Sequence, residues 1–338
     1  MKSFETQLEK ELSEKKQELM RIEKLNKIFV IGTLKKKYVH AVSNVDLSIG
    51  YKEVVALVGE SGSGKTTVAR VVSRLYEPTS GEIYLEGEKV PKKMNRKLLL
   101  NYRKKVQMIF QDPFSSLNPL YPVKYAVERP VRIHKLAKGK KEVKEIAQRV
   151  LEECGLIPAE RFFDRYPYEL SGGQRQRLGI ARALAVHPKL VFADEPTSML
   201  DVSIRLDIMN LMLDLKEKED ISYLFITHDL AGAHYMADRI AIMYAGRIME
   251  IGPSDEVIND PKHPYTQLLK RAAPKPESGL EPERIDIGGE VPDLTNLPKG
   301  CPFEPRCLYS KPVCKETLPK MVKVGENHFV RCTLYSNE

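Results

Sequence analysis

No stretch of this 338-residue chain comes near the roughly 20 consecutive apolar positions that a membrane-crossing helix needs. The opening residues Met1-Lys2-Ser3-Phe4-Glu5 lack the apolar core of a secretory signal. Both absences predict a chain that stays in the cytosol and meets a membrane only through a partner. No internal repeat is present, and the signatures of RNA- and DNA-binding modules are missing. The net charge of +8 arises from 54 Lys and Arg scattered among 46 Asp and Glu, which reads as a solvated, mildly basic surface rather than a nucleic-acid face. A cytosolic compartment disfavours stable disulfides. Of five cysteines, Cys154 stands alone and reads as a buried small residue. Cys301, Cys307, Cys314 and Cys332 fall within 32 residues and point to metal before they point to bridges.

What is present is a globular composition, 42% hydrophobic and 30% charged, long enough for two domains or for one with an appendage. The chain is organised around Gly59-Glu60-Ser61-Gly62-Ser63-Gly64-Lys65-Thr66, which fits the G-x-x-x-x-G-K-[ST] pattern of a phosphate-cradling loop. Val54–Val58 before it is an unbroken apolar run, as in a strand buried on both faces. Thr67–Val72 after it reads as a helix. Strand, glycine-rich turn and helix aim successive backbone N–H groups and a positive helix end at one point. Lys65 can reach β- and γ-phosphates, and the Thr66 hydroxyl can help hold Mg²⁺.

Along the chain, residues 1–19 predict an amphipathic helix, with Phe4, Leu8, Leu12 and Leu19 at near-helical spacing. Strands follow at 22–31 and 41–49 around a hairpin tip at 32–37, then at 82–85 and 106–110, with a basic helix at 94–105 between them. Gln111-Asp112-Pro113 ends the last of these strands, because Pro cannot continue a central ladder. Residues 123–186 carry helical patterns, notably 141–154. Strands are expected at 190–193 and 224–227, and a final hairpin of 239–244 with 247–251 turns at Ala245-Gly246. Beyond Pro261, closely spaced prolines predict a loop-rich appendage held together by its thiols.

Two further stretches carry chemistry. Leu190–Ala193 leads into Asp194-Glu195, a pair of acids at a strand end, where side chains project into the crevice of a parallel sheet. Asp194 can hold Mg²⁺ and Glu195 can polarise water. Leu170-Ser171-Gly172-Gly173-Gln174 precedes a helix, with Ser171 as N-cap and two glycines exposing backbone N–H groups. One triphosphate seldom needs two such helix ends from one fold. The simplest geometry takes one from each of two subunits.

The ordered set of 59–66, Gln111, 170–174, Asp194-Glu195, Ser198-Met199-Leu200-Asp201 and His228 resembles the ATP-binding subunit of an ABC transporter over residues 20–262. The resemblance implies an α/β fold: a P-loop NTPase ABC cassette with a RecA-like core, an antiparallel β subdomain and a helical subdomain at about 112–186. The expected division is a charged extension at 1–19, the cassette at 20–262 and a small C-terminal cysteine domain at 263–338. ATP would sit on Gly59 through Thr66 and Thr67, with Mg²⁺ on Thr66, Gln111 and Asp194. Glu195 takes the role of general base, His228 that of the γ-phosphate switch, Gln111 that of metal sensor, and Asp201 a place at the dimer seam. Ser171, Gly172, Gly173 and Gln174 face the nucleotide of the opposite subunit. Met199 stands where the family has Ala. The family also stacks adenine on an aromatic, for which Phe29 and Tyr38 are rivals.

Ile109–Pro119, Tyr166-Pro167-Tyr168-Glu169 and His263-Pro264-Tyr265-Thr266 resemble the oligopeptide/dipeptide importers, and the run 170–177 with Asp201-Val202-Ser203-Ile204 looks like the second of their two ATPase types. That implies a heterodimer with a homologous ATPase, two transmembrane permease subunits, an extracytoplasmic binding protein and a place at the cytoplasmic face of the membrane. Some relatives carry nickel or oligosaccharides instead. The spacing Cys301-x5-Cys307-x6-Cys314-x17-Cys332 resembles a motif binding a [4Fe–4S] cluster, with zinc as the alternative. The rivals are a soluble ABC ATPase acting on nucleic acid or the ribosome, and a small-molecule kinase. The first usually carries two cassettes or a long coiled-coil insertion, both absent here.

Overall fold

The computed structural model describes residues 18–32, 35–272 and 292–336. In chain order it contains β1 (Glu18–Ile31), β2 (Lys37–Gly50), β3 (Val54–Val58), α1 (Lys65–Val72), β4 (Ser80–Leu85), β5 (Glu88–Lys89), α2 (Arg96–Lys105) and β6 (Val106–Ile109). Next come α3 (Pro113–Ser116), α4 (Val123–Ile133), α5 (Lys140–Glu153), α6 (Glu160–Phe163), α7 (Gly172–Leu184), β7 (Leu190–Asp194), α8 (Val202–Glu219), β8 (Ser222–Thr227) and α9 (Leu230–Met236). The chain closes with β9 (Arg239–Tyr244), β10 (Arg247–Pro253), α10 (Ser254–Asn259), α11 (Pro264–Ala272), α12 (Pro312–Glu316), β11 (Val322–Lys323) and β12 (Phe329–Val330). The described residues form two compact units, one within Met1–Lys92 and Phe225–Glu338 and the other Lys93–Leu224, so β8 straddles the boundary. Among them no helix is long and apolar enough to cross a membrane.

The first unit holds an antiparallel sheet of order β2-β1-β4-β5. It also holds a run β11-β12-β10-β9-β3, in which β3 and β9 are parallel and the rest antiparallel. All five side chains of β3 are fully buried, as its unbroken apolar sequence requires. The Asp238 carboxylate accepts from Val54 N–H at 2.8 Å, and Asp238 N–H donates to Val54 O at 2.9 Å, fixing where β3 begins beside β9. Ala245 and Gly246 both have positive φ, +46° and +79°, the condition for a tight hairpin matching strand twist. The helix expected at 1–19 gives way at its described end: Leu19 and Met20 are buried residues of β1, which starts at Glu18. Its remainder, residues 1–17, lies outside the described residues.

In the second unit β6 and β7 pair in parallel, and α4 and α5 pack with α7. Asn95 caps α2 by accepting from Leu98 N–H at 2.9 Å. Cys154 is fully buried, and burial pushes its thiol pKa far up. The 18-residue α8 has no counterpart in the sequence reading.

The separate C-terminal cysteine domain is not what forms. Residues beyond 292 belong to the first unit, where β12 pairs with β10 through Glu250↔Val330 and Ile251↔Phe329. Glu250, wholly buried, accepts from Lys262 N–H and His263 N–H, each at 2.8 Å, and pairs with His328 Nε2 at 2.7 Å. His328 Nδ1 faces the Glu256 carboxylate at 3.2 Å. Burial works against its charge, but the Glu250 carboxylate wins and the imidazole pKa is raised. Arg331 donates to Ile248 O at 3.1 Å and Pro319 O at 3.0 Å. Strand pairing and a buried polar hub therefore do the work that the sequence assigned to thiols. Cys301, Cys307, Cys314 and Cys332 line one pocket, yet among the described residues no group of three or more His, Cys, Asp or Glu is arranged to hold a metal ion. The expectation of an iron–sulfur or zinc site is overturned. Burial raises the thiol of Cys301 to about 12, in keeping with a neutral, packed side chain.

His263 supplies a pH signature. Burial lowers its pKa to about 4, while Nδ1 accepts from Tyr265 N–H at 3.0 Å. The unfolded chain thus binds the proton first, and stability falls as pH drops from 6.5 toward 4, by on the order of 3 kcal/mol for a shift this size. His328, with its raised pKa, acts oppositely and above its ordinary titration range. A His263→Asn variant, which keeps an acceptor but does not titrate, is expected to show a shallower loss of melting temperature between pH 6.5 and 4.

Candidate functional site

The first unit carries the phosphate loop. Gly59 passes so close to β9 that a Cβ there would lie 2.1 Å from Met243 O. Gly64 has φ +105°, and its Cβ would meet Ala41 O on β2 at 2.2 Å. No other residue fits either place. Ser63 O accepts from Gly246 N–H at 2.8 Å, so the β9–β10 hairpin tip also holds the loop, while Ser63 Oγ is buried without a partner. Lys65 is only 5% exposed, and its ammonium donates to Gly59 O at 2.8 Å and Glu60 O at 2.9 Å. Thr66 and Thr67 stand half-buried in the first turn of α1, and Ser61 and Gly62 are exposed at the loop's crest. This is a cradle of backbone donors and one buried cation, the chemistry of a polyphosphate site.

Glu60 is engaged through all three of its polar groups. Its N–H donates to Tyr265 Oη at 2.9 Å, its carbonyl accepts from Lys65, and its carboxylate receives both Arg306 terminal nitrogens at 2.9 Å. Arg306 Nη1 also reaches Tyr244 Oη at 3.2 Å, and its guanidinium lies 5.7 and 5.8 Å from the ring centres of Tyr244 and Phe303. Reasoning from sequence missed Arg306 and the role of Tyr265. The His263-Pro264-Tyr265-Thr266 run was the available signal.

Also in this unit, His228 is exposed just beyond β8, next to Asp229, which caps α9 through Ala231 N–H at 3.0 Å. The two aromatic rivals occupy opposite faces of the β1–β2 ribbon, since Phe29 pairs with Val39 and Tyr38 with Val30. Phe29 meets the edge of Tyr76 at 5.4 Å and the Lys27 ammonium at 4.9 Å, whereas Tyr38 is 52% exposed.

The second unit carries the acids and the glycine pair. Asp194 is buried at the end of β7. Glu195 has φ +45°, a left-handed conformation uncommon for a residue with a Cβ and typical of sites where geometry serves chemistry. Gln111 Nε2 donates to Glu195 Oε2 at 2.9 Å, so these two residues meet. Ser171 and Gln174 form a reciprocal capping box at the start of α7: Ser171 Oγ accepts from Gln174 N–H at 3.3 Å, and Gln174 Oε1 accepts from Ser171 N–H at 3.0 Å. A Cβ on Gly173 would lie 2.9 Å from Ile204 Cγ2 of α8. Asp201 is exposed at the start of α8, where its carbonyl accepts from Arg205 N–H at 2.9 Å.

Residues 42–198 match the family model described as ABC transporter, and residues 249–314 the one described as oligopeptide/dipeptide transporter, C-terminal region. The chain is 44% identical over 300 residues to the oligopeptide transport ATP-binding protein AppF of Bacillus subtilis (strain 168), covering 88% of this chain and 90% of that one. It is 40% identical over 298 residues to the dipeptide transport ATP-binding protein DppF of Haemophilus influenzae, covering 88% and 90%. The dimeric post-hydrolysis structure of the ATP-binding cassette MJ0796 bound to ADP and Pi aligns with TM-score 0.62 at 32% identity, over 70% of this chain and 98% of that one. The structure of cbiO1 from Clostridium perfringens, part of the ABC transporter complex cbiONQ, aligns with TM-score 0.63 at 27% identity, over 72% and 92%.

The two loop glycines with positive φ separate backbone strain from steric contact. Gly62 has φ +79° and open space where a Cβ would go. Gly62→Ala is expected to cost about 1 kcal/mol, from the left-handed backbone alone. Gly64→Ala adds the collision with Ala41 O and is expected to cost about 3 kcal/mol, read from denaturant unfolding.

Proposed function

Since this chain belongs to the ABC transporter family of ATP-binding proteins, we propose that it is the ATP-hydrolysing motor subunit of a peptide importer. The observation that carries the reading is the phosphate loop with Lys65 buried beneath it, its ammonium held on two loop carbonyls. The names of the oligopeptide and dipeptide relatives support peptides as the cargo.

In this reading the Lys65 ammonium exchanges those carbonyls for β- and γ-phosphate oxygens, and the N–H groups of Gly62 through Thr66 take the rest of the chain of phosphates. The Thr66 hydroxyl, the Asp194 carboxylate and Gln111 are oxygen donors suited to Mg²⁺, which when bound neutralises charge on the phosphates. Glu195 accepts the proton of the attacking water as the bond from the γ-phosphorus to the ADP oxygen breaks. Gln111, already bonded to that carboxylate, sets its orientation. His228 contacts the γ-phosphate and Asp201 lies at the seam with the second subunit. Ser171 and the N–H groups of Gly172 and Gly173 bind the nucleotide held by that second subunit. Gln174 contributes through the cap it makes with Ser171. ATP favours the closed pair because only closure gives it both sets of contacts, and loss of the γ-phosphate removes that preference.

The likeness to oligopeptide and dipeptide transport ATP-binding proteins supports the partners proposed here. The second subunit is a homologous ATPase, giving a heterodimer, and the motor drives two permease subunits fed by an extracytoplasmic binding protein. An open groove of the second unit supports the permease contact: Leu117 of the segment 111–119 lines it with Tyr121, Tyr125, Ile133 and Arg182. The protein would act at the cytoplasmic membrane face. For adenine, Tyr38 is the better platform, because its ring is open while Phe29 is already engaged.

Glu195→Gln is expected to keep ATP affinity, lower turnover by about 10²–10⁴-fold and accumulate an ATP-bound dimer on size-exclusion chromatography. Normal turnover in that variant would remove Glu195 from the role of base. Tyr38→Ala is expected to weaken ATP binding about tenfold, with Phe29→Ala near wild type.

A further inference from the structure

We propose that Arg306 and Tyr265, both from the region beyond residue 263, are positioning residues of the phosphate loop, so that nucleotide affinity depends on how the C-terminal segment is docked. The proposal rests on reading that loop as a nucleotide site. Its basis is the complete engagement of Glu60. The Arg306 fork takes both carboxylate oxygens at 2.9 Å, a bidentate pair that fixes orientation as well as distance. Its side chain is 9% exposed and braced by the rings of Tyr244 and Phe303, so it has one way to point. Tyr265, fully buried, takes the Glu60 N–H.

The consequence reaches Lys65 through the peptide of Glu60. With its N–H and carboxylate fixed from the C-terminal side, the carbonyl of Glu60 is aimed at the Lys65 ammonium, 2.9 Å away. Release of Arg306 frees the Glu60 side chain, loosens the Gly59–Glu60 backbone and lets the lysine's resting partner drift. Arg306 touches no phosphate in this scheme. It acts through Glu60. Linkage then demands the converse, that nucleotide on the loop steadies the turn at 303–307.

The test uses the full chain with ADP and Mg²⁺, which requires one phosphate loop and no second subunit. Arg306→Gln and Glu60→Gln are each expected to raise the Kd for ADP about tenfold. The double variant is expected to be no worse than about twofold beyond the weaker single, because both remove one interaction. Arg306→Lys, a point charge without the fork, is expected to fall between wild type and Arg306→Gln. In wild type, ADP is expected to slow amide hydrogen exchange at 303–307, and Glu60→Gln to abolish that slowing, a readout that a merely structural role for Arg306 would leave unchanged. Glu60→Gln, altered at a partly exposed loop side chain, keeps the test open should Arg306→Gln fail to fold. Folded variants that bind ADP as wild type does, or single effects that multiply in the double variant, would overturn the inference alone. Failure of wild type to bind nucleotide would overturn the reading of the loop, and this inference with it.

Discussion

Two carbonyl oxygens set the shape of the phosphate loop. Met243 O on β9 and Ala41 O on β2 come so close to Gly59 and Gly64 that neither position has room for a Cβ. Those strands are themselves fixed, β9 by its parallel register with the fully buried β3 and β2 by antiparallel pairing with β1. The hairpin tip adds a third restraint, donating from Gly246 to Ser63 O and accepting from Ser43 of β2 at 2.8 Å. The loop is thus a gap left between rigid strands, and its glycines are required by contact as well as by conformation. A polyphosphate site gains from this rigidity, because donors already aimed lose little entropy when the anion arrives.

The second unit solves a different problem, presenting polar groups at element ends. At Glu195 the chain adopts a left-handed conformation immediately after a buried strand, which turns the carboxylate toward Gln111. At Ser171–Gln174 each residue has a separate physical task. Ser171 and Gln174 satisfy one another's backbone N–H groups, Gly173 admits Ile204 of the next helix, and a Cβ on Gly172 would lie 3.5 Å from Leu200 Cδ2, an ordinary contact. The side chain of Gln174 is occupied by the cap, which leaves backbone N–H groups and the Ser171 hydroxyl as the polar groups at this helix end.

What was legible in the sequence is what is local. The apolar run of β3, the glycine spacing of the loop, the Ser171 cap and the Ala245-Gly246 turn each depend on neighbours within a few residues, and each formed where expected. The helix α8 escaped notice because polar residues interrupt it on every side, and only four of its residues, Ile208, Met209, Met212 and Leu215, are buried. Leu19 fitted a helical spacing equally well, but its burial in β1 against the long β1–β2 ribbon decided the outcome. Beyond Pro261 the density of prolines hid both α11 and the two-residue strand β12, whose pairing with β10 spans some eighty positions of sequence. The cysteine spacing suggested a ligand set, yet closeness in sequence did not produce ligating geometry. The buried carboxylate of Glu250 could not be read in advance, since its partners come from two stretches distant in sequence, 262–263 and His328.

That carboxylate explains why the C-terminal segment does not behave as an appendage. A buried anion is tolerated only while its hydrogen bonds are complete, and loss of one partner leaves an uncompensated charge. Glu250 therefore ties β10, the start of α11 and the loop before β12 into one arrangement. The same short stretch that supplies two of its donors, Lys262 and His263, continues directly into Tyr265, whose hydroxyl holds Glu60 in the phosphate loop. Only Pro264 separates His263, an anchor in the C-terminal packing, from Tyr265, a contact with the glycine-rich loop. The packing of the C-terminal segment and the hold on Glu60 therefore share one short stretch of backbone, Lys262 to Tyr265.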